Sequence, residues 1–92
     1  MARLSESDLA TALKSLDGWA NAKNEIIKTF KFGNFVEAVA FVNRLADLAE
    51  QAGHHPDIDI RYNRVRIALT THDQGGITDK DTQLAGEIDR VA

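Results

Sequence analysis

The sequence predicts an α+β fold, with an antiparallel sheet of about four strands that carries three helices on one face, in the order αβαββα. Three segments place apolar residues at helical spacing behind a capping residue. Three other segments alternate apolar and polar residues with the period of a strand. The sequence lacks the regular alternation of strands and crossover helices that would indicate a parallel sheet. The pattern also leaves room for a short extra strand near Trp19.

The three predicted helices begin at Ser5, Asn34 and Thr78, each followed by an acidic residue three positions later. Gly18 is expected to end the first helix and Gly53 the second, because glycine adopts the left-handed conformation of a helix C-terminus. The predicted apolar faces comprise Leu9, Leu13 and Leu16 in the first helix, Val39, Val42, Leu45, Ala46 and Ala49 in the second, and Leu84, Ile88 and Val91 in the third. The second helix is the longest of the three.

The first predicted strand runs from Glu25 to Phe32, with its two faces alternating. A hairpin follows the long helix, for which we predict a two-residue loop at Asn63–Arg64. This loop would pair Tyr62 with Val65, Ile60 with Ile67, and Ile58 with Leu69 on the apolar face. Extended backwards, the same register sets His55 opposite His72.

Composition narrows the classes of function. The 92 residues fit one domain, 1–92, with 43% hydrophobic and 27% charged residues, as in ordinary globular proteins. Cysteine is absent, which fits a reducing compartment, and we expect a cytoplasmic protein that neither spans a membrane nor is exported. A net charge of -3 without a basic stripe argues against direct nucleic-acid binding. The apolar character of the long helix extends to Val36, Phe41 and Leu48, which makes it the candidate interface of a homodimer or homotetramer, or alternatively a broad core face.

All three histidines of the chain, His54, His55 and His72, are predicted to lie at one active site. Imidazole can give or take a proton near neutral pH, so such a cluster suits acid–base catalysis. Isolated surface or core histidines are the ordinary alternative for any one of them. Catalytic zinc is another, with Glu50 as a further ligand. A metal-free site is favoured, because adjacent histidines diverge on a strand and no helical His-x-x-x-His pair exists.

One set of motifs is specific enough to indicate a family. It comprises Glu50-Gln51-Ala52-Gly53-His54-His55-Pro56, Tyr62-Asn63, Thr71-His72-Asp73-Gln74-Gly75-Gly76-Ile77-Thr78 and Asp81. With Gly18-Trp19 and the segment from Phe30 to Phe35, the chain resembles the pterin-4a-carbinolamine dehydratases over most of its length. One departure is Ile58, where members of that family often carry tryptophan.

The resemblance implies dehydration of a 4a-hydroxytetrahydropterin to a quinonoid dihydropterin and water, in the recycling of tetrahydrobiopterin for aromatic amino acid hydroxylases. No cofactor is implied, since the elimination passes no net electrons to an acceptor. The expected roles are His54 and His55 as the principal acid–base pair and His72 as an assisting or substrate-holding residue.

Other residues receive expected roles as well. Glu50 and Asp81 would orient imidazoles or favour their charged forms, although a helix-end charge and a capping residue are their ordinary readings. Trp19 and Pro56 are candidate substrate contacts, and Tyr62 a structural support beneath the site. The resemblance also implies an alternative function, a protein-interaction module of the dimerisation-cofactor or coactivator type that acts through the long helix.

Overall fold

Each of the three helices begins at the capping residue that the sequence predicts. The computed structural model describes residues 2–92, with helices α1 (Glu6–Leu13), α2 (Phe35–Ala52) and α3 (Asp79–Val91). The Ser5 side chain accepts a hydrogen bond from the backbone of Asp8, and Asn34 accepts one from Glu37. Thr78 and Asp81 form a reciprocal capping box at α3. The start signals in the sequence were therefore read correctly.

Four strands form one antiparallel sheet: β1 (Ala20–Ala22), β2 (Glu25–Lys31), β3 (Asp57–Arg61) and β4 (Arg64–Leu69). Their spatial order is β1-β2-β4-β3. This confirms the predicted α+β class, and β1 is the short extra strand near Trp19. A turn at Lys23 and Asn24, both at positive φ, connects β1 to β2. None of the helices within residues 2–92 is long and apolar enough to cross a membrane.

The core lies between one face of the sheet and the helices. The sheet contributes Ile26, Phe30, Val65, Ile67 and Leu69 to the hydrophobic core. Their register places Ile26 beside Leu69 and Phe30 beside Val65, so the apolar side chains share one face. The opposite face carries Thr29, Lys31, Arg64 and Arg66, which are exposed. Helix cover on one face alone explains this polarity.

The prediction for the buried face of α2 was partly wrong. Its buried residues are Ala38, Phe41, Leu45 and Ala49. Phe41, expected at an interface, is fully buried and packs between the rings of Phe30 and Phe32, with centroids 4.9 Å from each. Val39 and Ala46 were expected in the core, but Val39 is half-buried and Ala46 is exposed. Most of the broad apolar face of this helix therefore packs in the core, and the buried face is rotated about the helix axis relative to the predicted one.

Two further predictions need correction, and the first concerns where α1 ends. This helix ends at Leu13, and Leu16 reaches the core from the turns that follow. Gly18 comes after those turns at φ +84, where an added Cβ would lie 2.9 Å from Cε of Lys28. The positive φ therefore favours glycine at this position, and a larger residue would also have to displace the end of the Lys28 side chain.

The second correction concerns the register of the β3–β4 hairpin. The loop is Tyr62-Asn63, and Ile60 pairs with Val65 and Ile58 with Ile67, two residues from the predicted alignment. Asn63 fixes this turn, because its backbone carbonyl and its side-chain amide both bind the backbone of Phe32, at 2.8 and 2.9 Å. Tyr62 consequently sits in the turn, at φ +53 and 67% exposed, and supports nothing beneath the site.

Candidate active site

One cleft holds all three histidines of the chain. It lies where α2 ends, beside the segment between β4 and α3, and encloses about 290 Å³. Its walls comprise Gly53, His54, His55, Thr70, Thr71, His72, Asp73 and Lys80. The fold thus collects three imidazoles, two hydroxyls, a carboxylate and an amine around one concave surface.

Two turns bring these side chains together. At the end of α2, Gly53 adopts the left-handed conformation with φ 62, and the backbone N–H of His54 binds the carbonyl of Ala49 at 3.1 Å. This helix-ending motif turns the chain so that His54 and His55 leave the helix axis. His72 follows β4 in a short 3-10 turn, His72–Gln74, which is closed by a bridge between Thr71 and Gly76.

Because the hairpin register differs from the prediction, His72 does not meet His55 across a regular ladder. Strand β4 ends at Leu69, and the turn after it carries His72 back to the cleft. The predicted convergence is present, although the predicted strand pairing is not its cause.

His54 is the most enclosed of the three imidazoles. Its Nε2 lies 2.5 Å from Oδ1 of Asp81, and the two side chains are 12% and 0% exposed. Asp81 is the buried carboxylate of the α3 capping box, so one residue both starts the last helix and binds a cleft histidine.

The second oxygen of Asp81 is held by two donors. The backbone N–H of Thr78 donates to Oδ2 at 2.9 Å, and the Thr71 hydroxyl donates to the same atom at 2.8 Å. Since the partners of this buried group offer protons, the ionised carboxylate satisfies them best. Nε2 of His54 is then the donor to Oδ1, which leaves Nδ1 as the nitrogen that can exchange a proton.

His55 has a carboxylate partner of a different kind. Its Nε2 lies 2.5 Å from Oε2 of Glu50, but the side chains are 65% and 76% exposed. Water and salt compete with such a contact, so it orients the ring far less firmly than a buried pair does. The predicted pairing of both carboxylates with histidines is nevertheless present in the geometry.

Of the other predicted site residues, His72 lines the cleft and Pro56 does not. His72 also borders a smaller depression, of about 250 Å³, beside Lys23, Asn24 and Glu25. Pro56 is half-buried just after the two histidines but is not part of the cleft wall.

Trp19 lies elsewhere. Its ring is buried against Phe30 at 6.1 Å between centroids, and its indole N–H donates to Asp89. It is a core residue within this chain, because the edge-on contact with Phe30 and the bond to Asp89 use its apolar body and its polar end together. The expectation that Trp19 contacts substrate finds no support in this placement.

Sequence reasoning missed Lys80 and Thr71 as cleft residues. Lys80 follows the capping residue of α3, and it also borders a second cleft of about 410 Å³ on the other side of His54, between α2 and α3. The signal in the sequence was that Thr71 is next to His72 in the family motif. The bond between Thr71 and Asp81 became apparent only from the fold.

The side chains described in residues 2–92 include no group of three or more His, Asp or Glu residues arranged to hold a metal ion. Nε2 of His54 and Nε2 of His55 each lie within hydrogen-bonding distance of a carboxylate oxygen.

The fold and the cleft define a small α+β protein with carboxylate-oriented histidines, which are groups suited to proton transfer. A family model for pterin 4 alpha carbinolamine dehydratase matches residues 2–91. The chain belongs to the pterin-4a-carbinolamine dehydratase family.

Individual relatives agree with this placement. The chain is 58% identical to a protein of Chloroflexus aurantiacus provisionally named pterin-4-alpha-carbinolamine dehydratase, with 99% of this chain and 98% of the relative covered. Among solved structures, it is similar to a transcriptional coactivator/pterin dehydratase from Brucella melitensis, with a TM-score of 0.95, 38% identity and 98% of each chain covered.

A more distant similarity concerns a pterin dehydratase-like protein described as a RuBisCO assembly factor in the alpha-carboxysome. There the TM-score is 0.67 and the identity 27%, over 80% of this chain and 86% of that one. The same fold therefore occurs in a protein described as a pterin dehydratase and in one described as an assembly factor.

Proposed function

We propose that this protein dehydrates a 4a-hydroxytetrahydropterin to a quinonoid dihydropterin and water by metal-free histidine acid–base catalysis. In the reaction, the C4a hydroxyl accepts a proton and departs as water while the C4a–O bond breaks. The ring loses a proton from nitrogen, and the electrons of that N–H bond form the new double bond. No electron acceptor is needed, so an acid and a base suffice.

The observation that carries this proposal is the placement of His54, His55 and His72 around one cleft, with two of them bound to carboxylates. General acid–base assistance typically contributes about 100- to 10,000-fold to a rate. A cleft of about 290 Å³ is near the lower end of the size range of small-molecule sites.

The geometry supports a role for particular nitrogens. Asp81 and Glu50 each bind an Nε2 atom, so Nδ1 of His54 and Nδ1 of His55 are the atoms left to exchange protons with substrate. The buried pair holds His54 in one orientation, whereas the exposed His55 can adjust to the ligand. His72 would complete the set as the assisting or substrate-holding residue, and Lys80 adds a positive charge to the same wall.

The experiment that tests this function measures dehydration of chemically generated 4a-hydroxytetrahydropterin, compared with the spontaneous reaction, with and without a chelator. Acceleration by purified protein that survives the chelator is the expected result. Acceleration abolished by the chelator would contradict the metal-free mechanism, and no acceleration by folded protein would contradict the activity.

Variants of single histidines sharpen this test. His54→Ala and His55→Ala should each lower kcat by about 100-fold or more if both transfer protons. Asp47→Asn on the outer surface of α2 is a suitable control, because it changes a charge on the same helix away from the cleft. Normal rates for both histidine variants would contradict their catalytic assignment.

A second candidate function is a protein-interaction module, and a specific surface favours it. Near the start of α2, Phe35 and Val36 are 50% and 75% exposed, and with Val39 and Ala40 they form an apolar patch. The two related structures are described as a transcriptional coactivator/pterin dehydratase and as a RuBisCO assembly factor. This patch is also where we place the contact of a cytoplasmic homodimer or homotetramer.

Val36→Glu tests the patch more cleanly than a change at Leu48, which is half-buried against the core. We expect it to lower the oligomer mass in analytical ultracentrifugation while each subunit keeps the circular dichroism spectrum of the folded wild type. A protein that keeps its mass after this change would not assemble through this part of α2.

A further inference from the structure

We infer that Thr71 is a positioning residue, which acts through Asp81 to hold His54 in the form that presents Nδ1 to the substrate. Its hydroxyl lies 2.8 Å from Oδ2 of Asp81 and 2.8 Å from the hydroxyl of Thr78. Thr78 and Asp81 are fully buried, so these contacts form away from water. For its catalytic readout, the inference rests on the proposed dehydratase function.

The direction of each bond follows from counting protons. The Thr71 hydroxyl has one proton and uses it on the carboxylate of Asp81, which can only accept. Between the two threonines, Thr78 must therefore be the donor and Thr71 the acceptor. Thr78 in turn accepts from the backbone N–H of Lys80 at 3.3 Å. The hydroxyls thus form a directed chain, from Thr78 to Thr71 to Asp81, that ends on the carboxylate bound to His54.

The backbone fixes Thr71 at this point. Its N–H donates to the carbonyl of Gly76 at 2.9 Å, and its own carbonyl accepts from Gln74 at 3.0 Å. The hydroxyl is consequently presented from a closed turn, which limits its freedom to leave Asp81.

Removal of this hydroxyl would leave Oδ2 with the Thr78 backbone N–H as its remaining donor. A buried carboxylate that loses one of its donors is held less firmly and is free to rotate. Rotation weakens the requirement that Nε2 of His54 carries the proton. The expected chemical effect is a mixture of imidazole forms at His54 in place of one.

The test compares Thr71→Val, which keeps the shape, with Thr71→Ser, which keeps the hydroxyl. In ¹⁵N-labelled protein, at a pH where the imidazole is neutral, the wild type and the serine variant should carry the ring proton of His54 on Nε2, and the valine variant should show a mixture. Dehydration kcat should fall about 10-fold in Thr71→Val with little change in KM, and stay within about twofold of wild type in Thr71→Ser.

Thr82→Val is the matched control, since its hydroxyl binds a carbonyl of its own helix. It should change neither the nitrogen shifts nor kcat. Thr71→Ala replaces the valine variant if valine prevents folding.

Unchanged His54 nitrogen shifts in a folded variant without the hydroxyl would overturn the inference, as would a serine variant as impaired as the valine one. If the wild-type protein shows no dehydration, the proposed function fails, but the nitrogen shifts still decide whether Thr71 orients His54.

Discussion

The two histidine–carboxylate pairs of the cleft have the same Nε2-to-oxygen distance, 2.5 Å, and opposite surroundings. The His54–Asp81 pair is buried and its carboxylate has further donors, whereas the His55–Glu50 pair is exposed on the surface of α2. Equal distances therefore conceal unequal strength, because solvent competes with one pair and not with the other.

The comparison suggests a division of labour. A ring that must keep one form benefits from a buried partner, and a ring that must adjust to a bound ligand benefits from an exposed one. The predictions below test this contrast, beginning with the change expected to have the largest effect.

Asp81→Asn should abolish most activity, lowering kcat by about 100- to 10,000-fold, because an amide cannot fix His54 as the carboxylate does. Unfolding free energy should also fall by about 3 kcal/mol, since the substitution disturbs buried bonds and the α3 cap together. Steady-state kinetics and urea denaturation measure the two effects. Asp79→Asn changes an exposed carboxylate two residues away and should leave kcat unaltered. Near-normal activity of Asp81→Asn would contradict the contrast between the two pairs.

Glu50→Gln should have a smaller effect, a loss of less than about 10-fold in kcat and a stability change within about 1 kcal/mol, as is usual for an exposed ion pair. The same assays apply, with Asp47→Asn as the control on the same helix. A loss as large as that of Asp81→Asn would show that exposure does not weaken this pair, or that Glu50 contacts the substrate itself.

Salt should separate the two pairs further. At about 1 M salt the screening length falls to about 3 Å, so the difference in kcat between wild type and Glu50→Gln should shrink. The difference between wild type and Asp81→Asn should persist, because ions do not reach a fully buried carboxylate. Parallel salt titrations of kcat for the three proteins measure this, and equal salt responses would argue against the contrast in burial.

Gly53→Ala tests the feature that both pairs share, the turn that ends α2. At φ 62 an alanine is strained, although its Cβ would have no atom within 4 Å. We expect about 1 kcal/mol less stability by chemical denaturation, with kcat within about twofold of wild type. Gly53→Asn should cost less, because asparagine tolerates this conformation better. A large loss of activity would mean that the turn, rather than the carboxylates, sets the positions of the rings.

Local signals in the sequence predicted the fold well, and long-range ones less well. The caps at Ser5, Asn34 and Thr78 depend on neighbours within one turn, so their residue types are sufficient to identify them. The hairpin register depended instead on Asn63, whose partner Phe32 is 31 residues away. A contact of that kind cannot be read from the alternation of apolar residues, which is equally consistent with a shift of two positions.

The candidate site shows the same limit. The convergence of the histidines was predicted from an incorrect register, and it exists because the turn after β4 returns His72 to the end of α2. Thr71 could not be assigned from sequence, since its bond to Asp81 requires the position of α3. The role of Trp19 was open because an indole serves a core and a ligand equally well, and its burial, its contact with Phe30 and its bond to Asp89 identify the core use only in the folded chain.

Asp81 has a consequence for how this protein could be altered, because its carboxylate caps α3 and binds His54 at once. A library of variants sorted only for resistance to heat should retain Asp81 in nearly every survivor. Such a sort would keep the orientation of His54 without any assay of turnover. Glu50, on the open surface, would be free to drift in the same experiment, so the two halves of the cleft should accumulate changes at different rates.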